Sequence, residues 1–489
     1  NLSPKEKETG EHGEVFTPIY LVNEILDKLP KGVWSNPKLK WLDPAAGIGN
    51  FPICVYLRLM EGLKSWKPNE EKRREHILEN MIYMGEINKK NYFILEKVFC
   101  SKDKKSNGYN LKLNKGDSLK WLEKLKRDGN IFDIVVGNPP YNTGGKGKEG
   151  DKSIWIEFIT KSLDVLQNNG YMGFIVPALW RSRGSGGEYI NDILTKLQIT
   201  HIRPYNLDEV QKVFSGTQKL IDYFVLKNTK NSNKLVNIKS ILGEEDVIVK
   251  PGTNIPNIGY DILYNLKNKH PEIGFLDKVT RSSFEGEQNI KEQKVLMIQH
   301  SSNGKNVKVE KIKSAKTYCG EKRCDKFYLI KDLNKNIEVF FNSKIYKFLS
   351  MVCLWSGYTL PQAVFGNIND LRKVKENLKT DDDIYKYYGI TKEEQKLIDE
   401  VVNHVKPTKR TPKRGNVEVE PVPEPGQGRE PEPEPEPDRN SHSVSSETKK
   451  KKKTQKKNKK GGGRTKRRNT KRNTRRNTRR NTKRRNTRR

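Results

Sequence analysis

Four consecutive residues, Asn138-Pro139-Pro140-Tyr141, bring together groups suited to a weak planar amine. The lone pair of an exocyclic amino group on a base is delocalised into its ring. The side-chain oxygen of Asn138 and the backbone carbonyl of Pro139 can each accept from one of its two N–H donors. That draws the nitrogen toward tetrahedral geometry and turns its lone pair outward. Pro139 and Pro140 stiffen the backbone, so the acceptors are preorganised. Tyr141 offers a flat face to the same base. Taken alone, the tetrapeptide also fits a turn closing a strand, because Asn and Pro are common turn residues.

The elements around it decide how such a group would be held. Ile131–Gly137 is a short apolar run rich in β-branched residues, which reads as a buried parallel strand. The two prolines stop it, since neither can donate to a ladder. In open α/β sheets, ligands bind at the C-terminal ends of such strands. Lys40–Asp43 reads as the first strand, with a helix from Phe51 onward. Between them, Gly47 and Gly49 permit a tight turn and close approach to a bound cofactor. No Gly-Lys-Ser/Thr follows, so this is not a phosphate-binding loop. Thr17-Pro18 reads as the cap and first position of an earlier helix. Ile19, Val22, Ile25, Leu26 and Leu29 fall on one face of it, and Pro30 and Gly32 end it. Residues 66–80 read as a charged helical insertion. Met81–Glu86 is the second strand, and Glu86 at its end is placed to accept from both hydroxyls of a ribose. Asn110–Leu113 then leads to Gly116-Asp117-Ser118.

The tetrapeptide resembles the catalytic motif of amino-group methyltransferases that use S-adenosylmethionine. Asp43-Pro44-Ala45-Ala46-Gly47-Ile48-Gly49-Asn50-Phe51 resembles their cofactor loop. The order of the two motifs, followed by a long C-terminal region, resembles gamma-class N6-adenine DNA methyltransferases, including the methylase part of fused type II restriction–modification enzymes. The resemblance covers residues 10–403 and is weaker beyond residue 230. It implies an α/β fold: a Rossmann-like methyltransferase sheet with a C-terminal target-recognition domain. It implies that Asn138 and Pro139 orient the amine of a flipped-out adenine, that Pro140 stiffens them, and that Tyr141 stacks on the base. Thr17 and Pro18 would sit over the methionine end of S-adenosylmethionine. Asp43, Pro44, Ala45, Gly47, Gly49, Asn50 and Phe51 would form its loop, with Asp43 near the cationic amino acid moiety. Glu86 would take the ribose. Asp117 resembles the acid that accepts from the cofactor's adenine amino group, but it could equally cap a helix, and one side chain does only one of these well. No metal is implied. The implied partner is double-stranded DNA, with a nuclease either separate or upstream of Asn1, and the enzyme is expected to be a monomer. The same tetrapeptide occurs in methylases of protein glutamine and of RNA guanine, which leaves those substrates open. A DNA-packaging protein with a vestigial methylase fold is the reading from another class.

Composition sets the outer limits. The 489 residues suffice for two or three domains. No run approaches the roughly 20 apolar residues of a membrane span. Five cysteines, few and odd in number, suit an intracellular, reducing compartment. Cys319 and Cys324 are spaced like half a metal site with no second pair, so two thiols near a charged hairpin is the plainer reading. The net charge is +35, and residues 449–489 hold 24 Lys or Arg and no acid. Taking those 24 away leaves +11 on the rest, and both parts point to a polyanionic partner. The expected organisation is a catalytic domain over 1–229, target recognition over 230–403, a Pro/Glu-rich linker over 404–448 and a disordered basic tail over 449–489. Such a tail also suits nuclear or virion association. Residues 380–391 resemble the ending of many such methylases, although the acidic triplet alone would be a plain helix cap.

Overall fold

The computed structural model describes residues 16–99, 108–142, 153–184, 186–214, 219–276, 280–282, 295–300, 307–312, 327–330, 333–355 and 362–403. The 142–152 loop except Asn142, the Cys319/Cys324 pair, the linker and the basic tail lie outside the described residues. All described residues belong to one compact unit, Asn1–Asn416. Among them, no helix is long and apolar enough to cross a membrane.

The architecture is a nine-stranded sheet in the order β3-β2-β1-β4-β5-β7-β6-β8-β9. Its strands are β1 (Trp41–Asp43), β2 (Ile82–Glu86), β3 (Lys112–Lys115), β4 (Phe132–Gly137), β5 (Leu166–Pro177), β6 (Leu197–Pro204), β7 (Ile221–Lys230), β8 (Val236–Ser240) and β9 (Gly243–Val247). The first five pair in parallel, and β7 runs antiparallel between β5 and β6. From Ile134 on, side chains alternate across the sheet as the pleat requires, Ile134 and Val136 entering the core on one face and Val135 on the other. A register shift between Phe132 and Ile134 puts Phe132 on the Val135 face. Helix α1 (Ile19–Leu26) and helix α2 (Asn50–Gly62) cover the first face. Because strand order reverses between β1 and β4, a crevice opens at their C-terminal ends.

Three expectations need correction. Thr17 does not cap α1. Pro18 is the N-cap residue, no side chain caps the helix, and the helix ends at Leu26, before Pro30. Ile19 lies on the exposed side, so the apolar face is Leu21, Val22, Ile25 and Leu26. The sheet does not close with the strand containing Asp222–Leu226. β8 pairs in parallel with β6, and β9 pairs with β8, which carries the sheet to Val247, past the expected boundary at 229. Finally, the region expected to alternate strands with loops is substantially helical. It holds α9 (Tyr260–Asn268), α10 (Lys335–Asn342), α11 (Lys344–Val352), α12 (Asp381–Tyr388) and α13 (Lys392–Val402) around a core of its own, beside a separate four-stranded antiparallel sheet. Thr380 and Asp383 form a capping box on α12, so the acidic triplet is a helix start.

The chain crosses between sheet and helices at residues 254–257. The buried Arg181 guanidinium pairs with Asp222 at 2.7 Å and also donates to the Ile255 carbonyl and to Asn257 Oδ1, each at 2.8 Å. The indole of Trp355 donates to the same Ile255 carbonyl at 2.8 Å. The Asn257 N–H bonds the Val352 carbonyl at 2.7 Å.

Candidate active site

β4 delivers Asn138 to the crevice. The Asn138 amide is held at both ends. Its Nδ2 donates to Thr17 Oγ1 at 3.2 Å, and its Oδ1 accepts from the Tyr141 hydroxyl at 3.2 Å. Pro139 is buried, and its carbonyl accepts no hydrogen bond among the described residues. Both oxygens therefore have accepting capacity left over, since a carbonyl oxygen has two lone pairs. The Tyr141 ring packs against the cores on both faces of the sheet. Burial, reinforced by nearby Asp222, raises its phenol well above the ordinary range, so it stays a neutral donor. The next residue, Asn142, accepts from Lys219 Nζ at 3.2 Å, which ties this segment to the entrance of β7.

β1 delivers Asp43 alongside. A Cβ on Gly137 would come within 2.8 Å of Asp43 Oδ1, so the two strand ends can approach this closely only with glycine there. Asp43 Oδ1 accepts from the Ala45 N–H at 3.0 Å. Burial pushes its carboxyl up to about 8, the Ala45 bond opposes this, and the charge of Glu86 adds to it. The loop then turns through Gly47 (φ 57°) and Gly49 (φ 95°), left-handed positions that favour glycine, before α2 begins at Asn50. β2 contributes Glu86, buried at the strand end. Its Oε2 accepts from the Gly47 N–H at 2.8 Å and its Oε1 from the Asn88 N–H at 2.6 Å.

The sequence-derived residues converge. Thr17, Asp43, Ala45, Gly47, Asn50, Phe51 and Asn138 line one cleft. Pro18, Pro44, Gly49, Glu86, Pro139, Pro140 and Tyr141 adjoin these in the chain or bond to them. Asn50 Nδ2 donates to the Thr17 carbonyl at 2.7 Å, joining the N-terminal segment to the loop. Asp117 does not join them. It is exposed, and its Oδ1 caps helix α5 (Ser118–Arg127) by accepting from the N–H groups of Leu119 and Lys120. Its neighbour Gly116 donates to the Glu86 carbonyl at 2.9 Å, so the cap sits at the adjoining strand end. Phe16 and Ile48 also line the cleft. Ile87, directly after Glu86, is 58% exposed. Only its adjacency to Glu86 in the sequence could have flagged this exposed aliphatic side chain. Among the described residues, no group of three or more His, Cys, Asp or Glu side chains could hold a metal ion.

Comparison with known proteins agrees with this geometry. Residues 53–214 match the family model described as Eco57I restriction-modification methylase. That span holds Glu86 and Asn138–Tyr141 and starts just after the glycine loop. A Mycoplasma pneumoniae protein described as an uncharacterized adenine-specific methylase is 25% identical over 303 residues, covering 46% of this chain and 70% of its own. Among solved structures, the EcoKI M protein of a type I restriction enzyme aligns at 17% identity and TM-score 0.35, covering 46% of this chain and 48% of that one. A type I methyltransferase subunit from Streptococcus thermophilus aligns at 18% identity and TM-score 0.33, covering 48% of each chain. The chain thus spans about half the length of these subunits. The fold class rests on the strand order and directions themselves. The methylase match runs through β2, β4 and the Asn-Pro-Pro-Tyr turn, so over residues 53–214 the chain is similar to the Eco57I restriction-modification methylase family.

Proposed function

We propose that this protein transfers a methyl group from S-adenosylmethionine to the N6 amino group of an adenine flipped out of duplex DNA. The observation that carries the reading is the Asn138 amide at the end of β4, bonded at both ends by Thr17 and Tyr141. It is followed directly by Pro139, whose carbonyl accepts no hydrogen bond among the described residues. The cleft also fits the cofactor. Asp43 is buried and has no salt-bridge partner among the described residues, which suits the cationic amino group of a methionine moiety. The left-handed glycines carry no side chain, so the loop backbone can lie close to a molecule in the crevice, while their own N–H groups bond Glu86 and the Ala46 carbonyl. Ile87, exposed directly after Glu86, offers apolar surface for an adenine ring.

When bound, S-adenosylmethionine supplies a methyl group on a sulfonium, an excellent leaving group. The chain's own residues do the rest. Asn138 and Pro139 accept the two N–H bonds of the target amine and aim its lone pair. Tyr141 presents its ring to the flipped base, and stacking of this kind contributes about 1–3 kcal/mol. The excess proton is lost after attack, so no strong base is required near Asn138.

The test is expression in methylation-free cells followed by modification-sensitive long-read sequencing of the DNA. N6-methyladenine in one sequence context is expected. Unmodified DNA accompanied by methylated RNA or methylated protein glutamine would move the same chemistry to another substrate. Calorimetry with S-adenosylmethionine separates both outcomes from a vestigial fold, which would not bind it.

A further inference from the structure

We infer that Thr17 is a positioning residue whose hydroxyl, together with the Tyr141 phenol, holds the Asn138 amide in place. The inference rests on the amino-methylation reading of this site and adds a residue that steadies its acceptor.

An amide side chain has two ends of nearly equal shape and opposite hydrogen-bonding character. An acceptor facing the target amine helps it, and an NH2 group in the same position repels it. In this fold both ends are bonded. Nδ2 donates to Thr17 Oγ1 at 3.2 Å, and Oδ1 accepts from the Tyr141 hydroxyl at 3.2 Å. Thr17 is suited to this task because its own position is fixed. It is 5% exposed, and its carbonyl accepts from Asn50 Nδ2 at 2.7 Å. Its hydroxyl is not engaged in capping α1, where no side chain caps the helix. A residue 121 positions upstream of Asn138 thus reaches the amide from across the cleft. Because Asn50 begins α2 directly after the glycine loop, Thr17 links the loop to the reacting end of the site.

The test compares full-length wild type, Thr17→Val and Thr17→Ser. Valine keeps the shape and removes the hydroxyl, and serine keeps the hydroxyl. The first readout is the kcat against KM split with target DNA. The second is binding without turnover: the ratio of affinities for a duplex bearing adenine and one bearing purine, which lacks the 6-amino group, at the target position. We expect Thr17→Val to lower kcat about five- to tenfold, the effect of one neutral hydrogen bond. The adenine-over-purine ratio should shrink by a similar factor, and Thr17→Ser should restore both readouts. Tyr141→Phe, which releases the other end of the amide, should shrink the same ratio and serves if Thr17→Val does not fold. An unchanged ratio and kcat in Thr17→Val, or equal losses in Val and Ser, overturns the role. A wild type with neither adenine preference nor methylation overturns the amino-methylation reading instead.

Discussion

The carboxylate of Glu86 holds the backbone of Gly47, its Oε2 accepting that N–H at 2.8 Å. The end of β2 is thereby joined to the turn after β1, and the loop's shape depends on an acid 39 residues downstream. Glu86 can serve a ribose and the loop together, because an ionised carboxylate offers about four lone-pair sites. Glu86→Gln should therefore weaken S-adenosylmethionine binding less than Glu86→Ala. Alanine should raise the dissociation constant about tenfold or more, as expected when a charged acceptor is lost. Calorimetry on the two variants decides. An unchanged constant in Glu86→Ala would move the ribose contact elsewhere.

Asn138→Ala should abolish transfer while leaving cofactor affinity intact. Loss of one preorganised partner costs about 10²–10³ in rate. Single-turnover assays beside calorimetric binding give the comparison. Wild-type turnover in this variant would remove Asn138 from the mechanism.

Asp43 gives the site a pH signature. Its carboxyl titrates near 3.8 in a model peptide, and burial lifts it to about 8 in the folded chain. A raised acid contributes stability that is complete below the unfolded value and is lost as pH rises through the folded one. The cofactor-free protein should accordingly lose thermal stability between pH 6 and pH 8.5, and Asp43→Asn should flatten that slope. A cationic amino group beside the carboxyl lowers its pKa again, so cofactor binding at pH 7 should release a proton. Calorimetry in two buffers of different ionisation enthalpy measures the release. Zero release in the wild type would place the cation away from Asp43.

Arg181→Met should destabilise the protein strongly. Removing one partner of a buried pair leaves Asp222 charged and uncompensated, at a cost of about 3–5 kcal/mol. Denaturant unfolding reads the effect. Because Asp222 also lies near Tyr141, any variant that survives folding should show altered base capture. A change below about 1 kcal/mol, the size of an exposed pair, would show that the pair contributes little.

Much of the catalytic half was legible in the chain. The continuous apolar run into β4 and the glycine spacing after β1 each have one inexpensive structural solution, and Asn138, Asp43 and Gly47 meet where that solution puts them. Thr17 was legible as a site residue, but its hydroxyl was assigned to a cap. Thr-Pro before an apolar helix has that appearance, and nothing local reveals a bond to a side chain 121 positions away. Asp117 shows the converse, since cap and cofactor acceptor share one local pattern and the cap alone is visible in the fold. β9 reads Gly-Glu-Glu-Asp-Val, with little of a strand's apolar alternation, because an edge strand needs few buried side chains. Lys335–Asn342 carries Ile, Val and two Phe, residues that suit strands, but Asn334 caps it and its apolar positions fall on one helical face.

The crossing at residues 254–257 bears on how such a protein can change its specificity over time. Ile255 and Asn257 belong by sequence to the passage into the helical half, yet their polar atoms satisfy a guanidinium rooted in the sheet. A foreign C-terminal half spliced on at this point would have to bring matching partners for Arg181, or leave a buried cation exposed to a mismatched neighbour. Wholesale exchange is therefore a difficult route. Change in the helical half should proceed by point substitutions on its surface, with the seam at Arg181 carried along intact.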